Sequence, residues 1–285
     1  MTTALITGAT AGIGAAFADR LARDGRDLVL VARDTERLRK SAEELAGRYG
    51  VQVETLTADL ATDAGIGAVE DRLRDDARPV DLLINNAGFG NRGAYLDVPV
   101  QDELDMLKVH IEAVLRTTTA AVPGMRERGF GGIVNVASVA AFVPRGTYGA
   151  TKAWVVNFTL GIARDLAGSG VRLQALCPGF TRTEFHQRAG MGTSSIPAWG
   201  WLSAERVVDE SLRDLARNRP LSVPGKRYKA AVTAARLLPV GGLGGPLDHG
   251  GGATIGRSSE SRVRQVATAC PSLPVSVPFA PSRSY

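Results

Sequence analysis

The sequence predicts a single doubly wound α/β domain, a parallel sheet with helices on both faces, and two observations carry that prediction. Short Val/Leu/Ile runs bounded by Gly, Asp or Pro alternate with longer stretches whose apolar residues recur every three or four positions, and the first run opens directly into a glycine-rich turn. Such alternation implies strand–helix–strand crossovers, whose strands are buried on both faces and so read as continuous apolar runs. With 285 residues, 44% of them hydrophobic and 22% charged, the chain is long enough for one large core.

The elements follow in order. Ala4 to Thr7 is the first strand, and Thr7-Gly8-Ala9-Thr10-Ala11-Gly12-Ile13-Gly14 turns it into a helix near residues 12–24. Glycines at Gly8, Gly12 and Gly14 permit a tight turn and close approach of backbone to a pyrophosphate, while Thr10 and Ile13 sit among the N–H groups that a helix start offers to an anion. That strand–turn–helix makes the sheet Rossmann-type. A second strand, Asp27 to Ala32, ends in Ala32-Arg33-Asp34 before a helix near 34–49, striped by Leu38, Leu45 and Tyr49. An acid at the end of this strand would accept from a ribose 2′-hydroxyl, whereas an arginine suits a 2′-phosphate, so Arg33 argues for NADP(H) in preference to NAD(H). The third to sixth strands are Val51 to Thr57, Val80 to Ile84, Gly132 to Ala137 and Val171 to Leu176, with helices near 62–77, 101–127 and 148–168 between them. Residues 1–240 form the expected domain. From Gly241 the chain turns rich in Gly, Ser and Pro without a sustained period, and residues 241–285 read as a disordered tail.

Composition narrows the function. The formal charge is +5, but Lys and Arg are interspersed with acids and form no basic run, which argues against nucleic acid. Cys177 and Cys270 make neither a ligand cluster nor a disulfide framework, so no metal is expected and a reducing cytoplasm suits the chain. The start, "MTTALITGAT", does not read as a signal peptide, and the apolar run Ile133 to Val143 is too short to span a bilayer, so no membrane partner is expected.

"TYGATK" places the Tyr148 phenol and the Lys152 ammonium four residues apart on one helix face, where both could touch one small molecule. With "TGATAGIG", Asp59-Leu60, "NNAG" (Asn85 to Gly88), Ser138 and "PGFTRT" (Pro178 to Thr183) in this order, the sequence resembles the short-chain dehydrogenase/reductase family over about residues 1–230. Within it, the chain is most similar to ketoacyl-reductase-like and hydroxysteroid-dehydrogenase-like members, through Ala175 to Phe185, with Phe180 at the open position, and Val223-Pro224-Gly225.

The resemblance implies an oxidoreductase that interconverts a carbonyl and an alcohol on a small molecule, with Ser138, Tyr148 and Lys152 as the catalytic residues. It places Asp59 at the adenine amino group with Leu60 beside it, Asn86, Ala87 and Gly88 along the adenosine ribose, and Pro178, Gly179, Thr181 and Thr183 at the nicotinamide. Lys152 would lower the pKa of Tyr148 and hold the nicotinamide ribose, and Ser138 would donate to the substrate oxygen. The helices near 101–127 and 148–168 are the family's usual contact surfaces, so a homodimer or homotetramer is expected. Two departures stand out. Ser138 and Tyr148 are ten residues apart where the family has a longer loop, and His110 replaces an asparagine that anchors a proton-relaying water; the imidazole is either a relay itself or packing. Phe185, Met191, Ile196, Trp199 and Trp201 lie in a Gly/Ser/Pro-interrupted stretch that reads as a mobile flap over an apolar substrate, or equally as cover for the core. The rival to an enzyme is a catalytically weak nucleotide-binding or sensor protein on the same fold.

Overall fold

The computed structural model describes residues 2–91, 93, 95–184 and 197–237. The expected tail, together with Phe185, Met191 and Ile196, lies outside the described residues.

The described chain runs β1 (Thr3–Thr7), α1 (Gly12–Arg23), β2 (Asp27–Ala32), α2 (Thr35–Tyr49), β3 (Val53–Thr57), α3 (Asp63–Leu73), β4 (Leu82–Asn85) and α4 (Val100–Leu107). A π-helical turn, Lys108–Glu112, joins α4 to α5 (Ala113–Glu127) without a break in helical backbone. Then come β5 (Gly131–Val136), α6 (Gly146–Asp165), β6 (Val171–Leu176), α7 (Ala204–Ala216), β7 (Leu221–Ser222) and α8 (Lys226–Leu237). The seven strands form one parallel sheet in the order β3-β2-β1-β4-β5-β6-β7.

Side chains of β1, β2 and β4 alternate between two cores. Ala4, Ile6, Leu28 and Leu30 face Phe17 and Leu21 of α1, Leu38 of α2 and Val207 and Val208 of α7. Leu5, Val29, Val31 and Leu83 face Ile66 and Val69 of α3, Met125 of α5 and Leu166 just past α6. Both faces being apolar is why β1, β2 and β4 carry no polar alternation in sequence.

Boundaries differ from the sequence reading where side chains capture the backbone. α3 stops at Leu73 rather than near 77 because Asp75 accepts from the Ala77 amide at 3.1 Å and from Arg78 Nε at 2.8 Å, which stabilises a turn. β3 starts two residues later than expected; the Gln52 amide donates to the Asp27 carboxylate at 2.9 Å instead of to a ladder carbonyl. α7, β7 and α8 extend the sheet and its cover beyond the elements read from sequence.

Candidate active site

Strand order reverses between β1 and β4, and the crevice outside their carboxyl ends is the natural ligand site of an open α/β sheet. The Thr7 hydroxyl closes its floor, accepting from the amides of Asn86 and Ala87 at 3.0 Å each. Asn86 Nδ2 donates in return to the carbonyl of Thr7 at 2.9 Å and to that of Gly8 at 3.2 Å. Gly14 must be glycine because a methyl group there would overlap the Gly8 carbonyl and the Asn86 amide, and Gly8 itself has φ +66°. α1 begins at Gly12 with Ala11 at its N-cap, a residue that makes no side-chain cap, and no acid stands in its first turn. These features fit a dinucleotide: open amides at a helix start, a cradle any Cβ would fill, and a floor that holds two strands together.

Arg33, at the end of β2, is 74% exposed, and its Nη1 is 4.0 Å from Asp59 Oδ2 at the end of β3. Asp34 caps α2 by accepting from the Arg37 amide at 3.0 Å. Asp59 Oδ1 accepts from the Ala61 amide at 3.0 Å, and Leu60 is buried in the core. Arg37, which the sequence reading passed over, donates to the Thr10 carbonyl at 3.2 Å and to Glu184 at 3.3 Å. Its signal was present: Arg37 follows Arg33 by four residues at a helix start.

At the other end, the three expected catalytic side chains converge. Ser138 follows β5 and caps a short 3-10 helix, Val139–Phe142, by accepting from the Ala140 amide at 3.1 Å. That compact turn absorbs the short loop, and the Ser138 hydroxyl hydrogen-bonds the Tyr148 phenol in the first turn of α6. Lys152, one turn later and 5% exposed, donates from Nζ to the Val136 carbonyl at 3.1 Å. Burial pushes Tyr148 up to about 12 against the opposing pull of Ser138 and Arg145, and brings Lys152 down to about 8. The expectation that Lys152 depresses Tyr148 is therefore corrected for the ligand-free protein. The ammonium lies 5.7 Å from the phenol ring centroid and is engaged by Val136, and desolvation of the phenolate dominates.

His110 sits in the π-helical turn, 1% exposed, with its ring edge-on to Tyr148 at 5.7 Å. The Phe89 amide donates to Nε2 at 3.1 Å, so that nitrogen carries no proton. Nδ1 then bears it and donates to Thr151 Oγ1 at 3.0 Å, while Thr151 donates to the Tyr148 carbonyl at 2.8 Å. Burial, with Lys152 nearby, holds the pKa of His110 well below its ordinary value. Of the two alternatives, this buried network fits packing better than a relay.

The loop after β6 completes the crevice. The Pro178 carbonyl accepts from the Val139 amide at 3.0 Å, and Thr181, nearly fully buried, donates to the Gly179 carbonyl at 3.0 Å. Thr183 reaches the glycine-rich turn, where a methyl on Gly12 would come within 3.1 Å of its side chain. Phe180 and Trp201 rings lie 6.0 Å apart, and Arg227 stands 4.6 Å over the ring of Trp199, which is 68% exposed. Among the described residues no His, Cys, Asp and Glu group could hold a metal, and no helix is long and apolar enough to cross a membrane.

The family model for short chain dehydrogenase matches residues 2–192. A 3-oxoacyl-[acyl-carrier-protein] reductase of Aquifex aeolicus is 32% identical over 183 residues, covering 63% of this chain and 74% of that protein. Among solved structures, a short-chain dehydrogenase from Sphingobium yanoikuyae in complex with NADPH is 37% identical with a TM-score of 0.76, over 89% of this chain and 99% of its own. A bulky-bulky ketone specific alcohol dehydrogenase from Comamonas testosteroni is 32% identical with a TM-score of 0.73, over 89% and 97%. With its switch-point crevice and its serine, tyrosine and lysine at one end of that crevice, this chain belongs to the short-chain dehydrogenase family and is an oxidoreductase of that family.

Proposed function

We propose that the chain is an NADP(H)-dependent reductase of a ketone or aldehyde on a mostly apolar small molecule, with Tyr148 as general acid. The observation that carries this reading is the cluster of half-buried Ser138 and Tyr148 with buried Lys152 at the carboxyl end of β5, next to the loop Pro178 to Thr183. When bound, the nicotinamide supplies the hydride in reduction or accepts it in oxidation. Ser138, held by its bond to Ala140, donates to the carbonyl oxygen of the substrate and stabilises the charge that develops there. Tyr148 carries its proton throughout the neutral range and gives it to that oxygen. Lys152, still mostly ammonium at neutral pH, turns to the ribose hydroxyls and steadies the phenolate left behind.

Asn86, Ala87 and Gly88 line the adenosine ribose in this reading, Asp59 and Leu60 border the adenine, and Pro178, Gly179, Thr181 and Thr183 hold the nicotinamide. Gly8, Thr10, Gly12, Ile13 and Gly14 cradle the pyrophosphate. Exposed Arg33 supports a 2′-phosphate and thus NADP(H), in keeping with the NADPH bound in the Sphingobium relative. The ketone specificity of the Comamonas relative supports a ketone substrate. Exposed Val100, Leu104 and Leu115 on α4 and α5, with the stacked Trp154 and Phe158 of α6, support a homodimer or homotetramer. Oxidation of NADPH against a panel of ketones and aldehydes tests the reading. Turnover by the wild type that Tyr148→Phe lowers at least about a hundredfold is the expected result. Tight NADPH binding with no turnover on any substrate would assign the fold to sensing instead.

A further inference from the structure

Tyr228 stands in the first turn of α8, in a part of the chain to which none of the site assignments above extends. Its ring lies so close to Gly179 that a methyl group there would overlap the ring carbons. Its hydroxyl uses both of its hydrogen-bonding capacities on backbone: the Phe180 amide donates to it at 3.0 Å, and it donates to the Gly200 carbonyl at 2.7 Å. Phe180 and Gly200 belong to two segments that also bond to each other. The Leu202 amide donates to the Phe180 carbonyl at 2.8 Å, and the Arg182 amide to the Leu202 carbonyl at 2.9 Å, around a parallel bridge between Thr181 and Leu202. One phenol thus braces a two-segment neck whose first segment is the loop Pro178 to Thr183. The neighbouring Arg227 reaches the same second segment at Trp199.

We propose that Tyr228 is a positioning residue for the nicotinamide end of the site, fixing the height of Gly179 and Phe180 above the sheet through its ring and its hydroxyl. This inference rests on the function proposed above. Without the hydroxyl, the Phe180 amide and the Gly200 carbonyl lose their shared partner, and the loop gains freedom that a bound nicotinamide must remove. Among the described residues the hydrogen bonds of Tyr228 go to Phe180 and Gly200 and none goes to the ends of β1 to β4, which build the adenosine half of the crevice.

The test compares wild type with Tyr228→Phe, which keeps the ring and removes the oxygen. NADPH and adenosine 2′,5′-bisphosphate, which lacks the nicotinamide half, are titrated into both proteins. The expected result is an NADPH Kd raised about five- to tenfold, the scale of one ordinary hydrogen bond, with the bisphosphate Kd unchanged. Equal weakening of both ligands, or of neither, overturns the proposal. Gly179→Ala, which pushes on the ring from the other side, should repeat the selective loss. Amide hydrogen exchange in the ligand-free proteins separates this inference from the function it rests on. Failure of the wild type to bind NADPH would refute the function, and Tyr228 would then be judged on Phe180 and Leu202 alone. Faster exchange at both amides in Tyr228→Phe, with the rest of the sheet unchanged, supports the brace; unchanged exchange overturns it.

Discussion

Replacing Lys152 by methionine should stabilise the ligand-free protein while abolishing turnover. Lys152 is 5% exposed, and its ammonium has the Val136 carbonyl at 3.1 Å as its hydrogen-bond acceptor. The fall of its pKa from an ordinary 10.5 to about 8 corresponds to about 3 kcal/mol held against the charged form. Methionine fills similar volume without charge. Losing the partner of the Val136 carbonyl returns about 1 kcal/mol, which leaves about 2 kcal/mol, or about 4–8 °C in Tm for a domain of this size. The pH dependence gives the signature. Between pH 8 and 10.5 the unfolded chain still binds the lysine proton that the folded one has released, so wild-type stability climbs with pH across that window. The methionine variant lacks this contribution, so its advantage should be full below pH 8 and shrink toward pH 10.5. Tyr148, pushed up to about 12, works in the opposite direction above pH 10, but it is common to both proteins and cancels in the difference. Thermal melts followed by circular dichroism from pH 6.5 to 10 decide the matter. A variant that melts at or below the wild type at pH 7, or a gap that does not narrow with pH, would refute the reasoning.

Arg33→Ala should weaken NADPH by about 1.5–3 kcal/mol while leaving NADH nearly unchanged, because a charge-assisted contact to the 2′-phosphate is lost; equal wild-type affinity for the two cofactors in a titration would sink the assignment. His110 should cost stability in acid, because the unfolded chain takes up a proton below its ordinary value of 6.5 that the buried ring refuses. His110→Asn should flatten that loss in melts between pH 5 and 7, and a pH–rate inflection near neutrality that disappears in His110→Ala would reinstate the relay. A chain ending at Val240 should keep its Tm within about 2 °C and its activity, since residues 241–285 offer a composition poor in core-forming runs; a larger loss on calorimetry would show that those residues contribute to the fold.

The inner strands could be read from sequence because burial on both faces makes them apolar runs, as in Leu28 to Val31, and the half-buried edge strand β3 shows as its Val, Leu and Thr residues. β7 could not, since Leu221–Ser222 is two residues long and exists as a strand only through pairing with Ala175 and Leu176. α7 had a readable signal, Val207, Val208 and Leu215 behind a Ser203 cap, that the preceding Gly- and Pro-rich stretch obscured. The site was legible wherever a motif is local: the glycine turn, the tyrosine and lysine one helical turn apart, and the residues ending each strand. The pKa directions were not, because Tyr148 is raised by burial that comes from tertiary packing and only then lowered by Ser138 and Arg145, which lie on either side of a loop. Tyr228 left no sequence trace, being 48 residues from the amide it binds.

The place of β1 in the middle of the sheet also sets the order in which the site can come into being. β1 meets β2 after a short crossover, but its other neighbour, β4, begins at Leu82, so the crevice between them closes only when nearly eighty residues of intervening chain have been looped out. Ser138, Tyr148 and the loop Pro178 to Thr183 join later still in the chain. A ligand that needs both walls of that crevice finds no partial site to grip on the way. Cofactor should therefore slow unfolding by mass action on the finished protein and leave the refolding rate almost untouched, a contrast that stopped-flow refolding and unfolding with and without NADPH would reveal as a shift of one chevron limb alone.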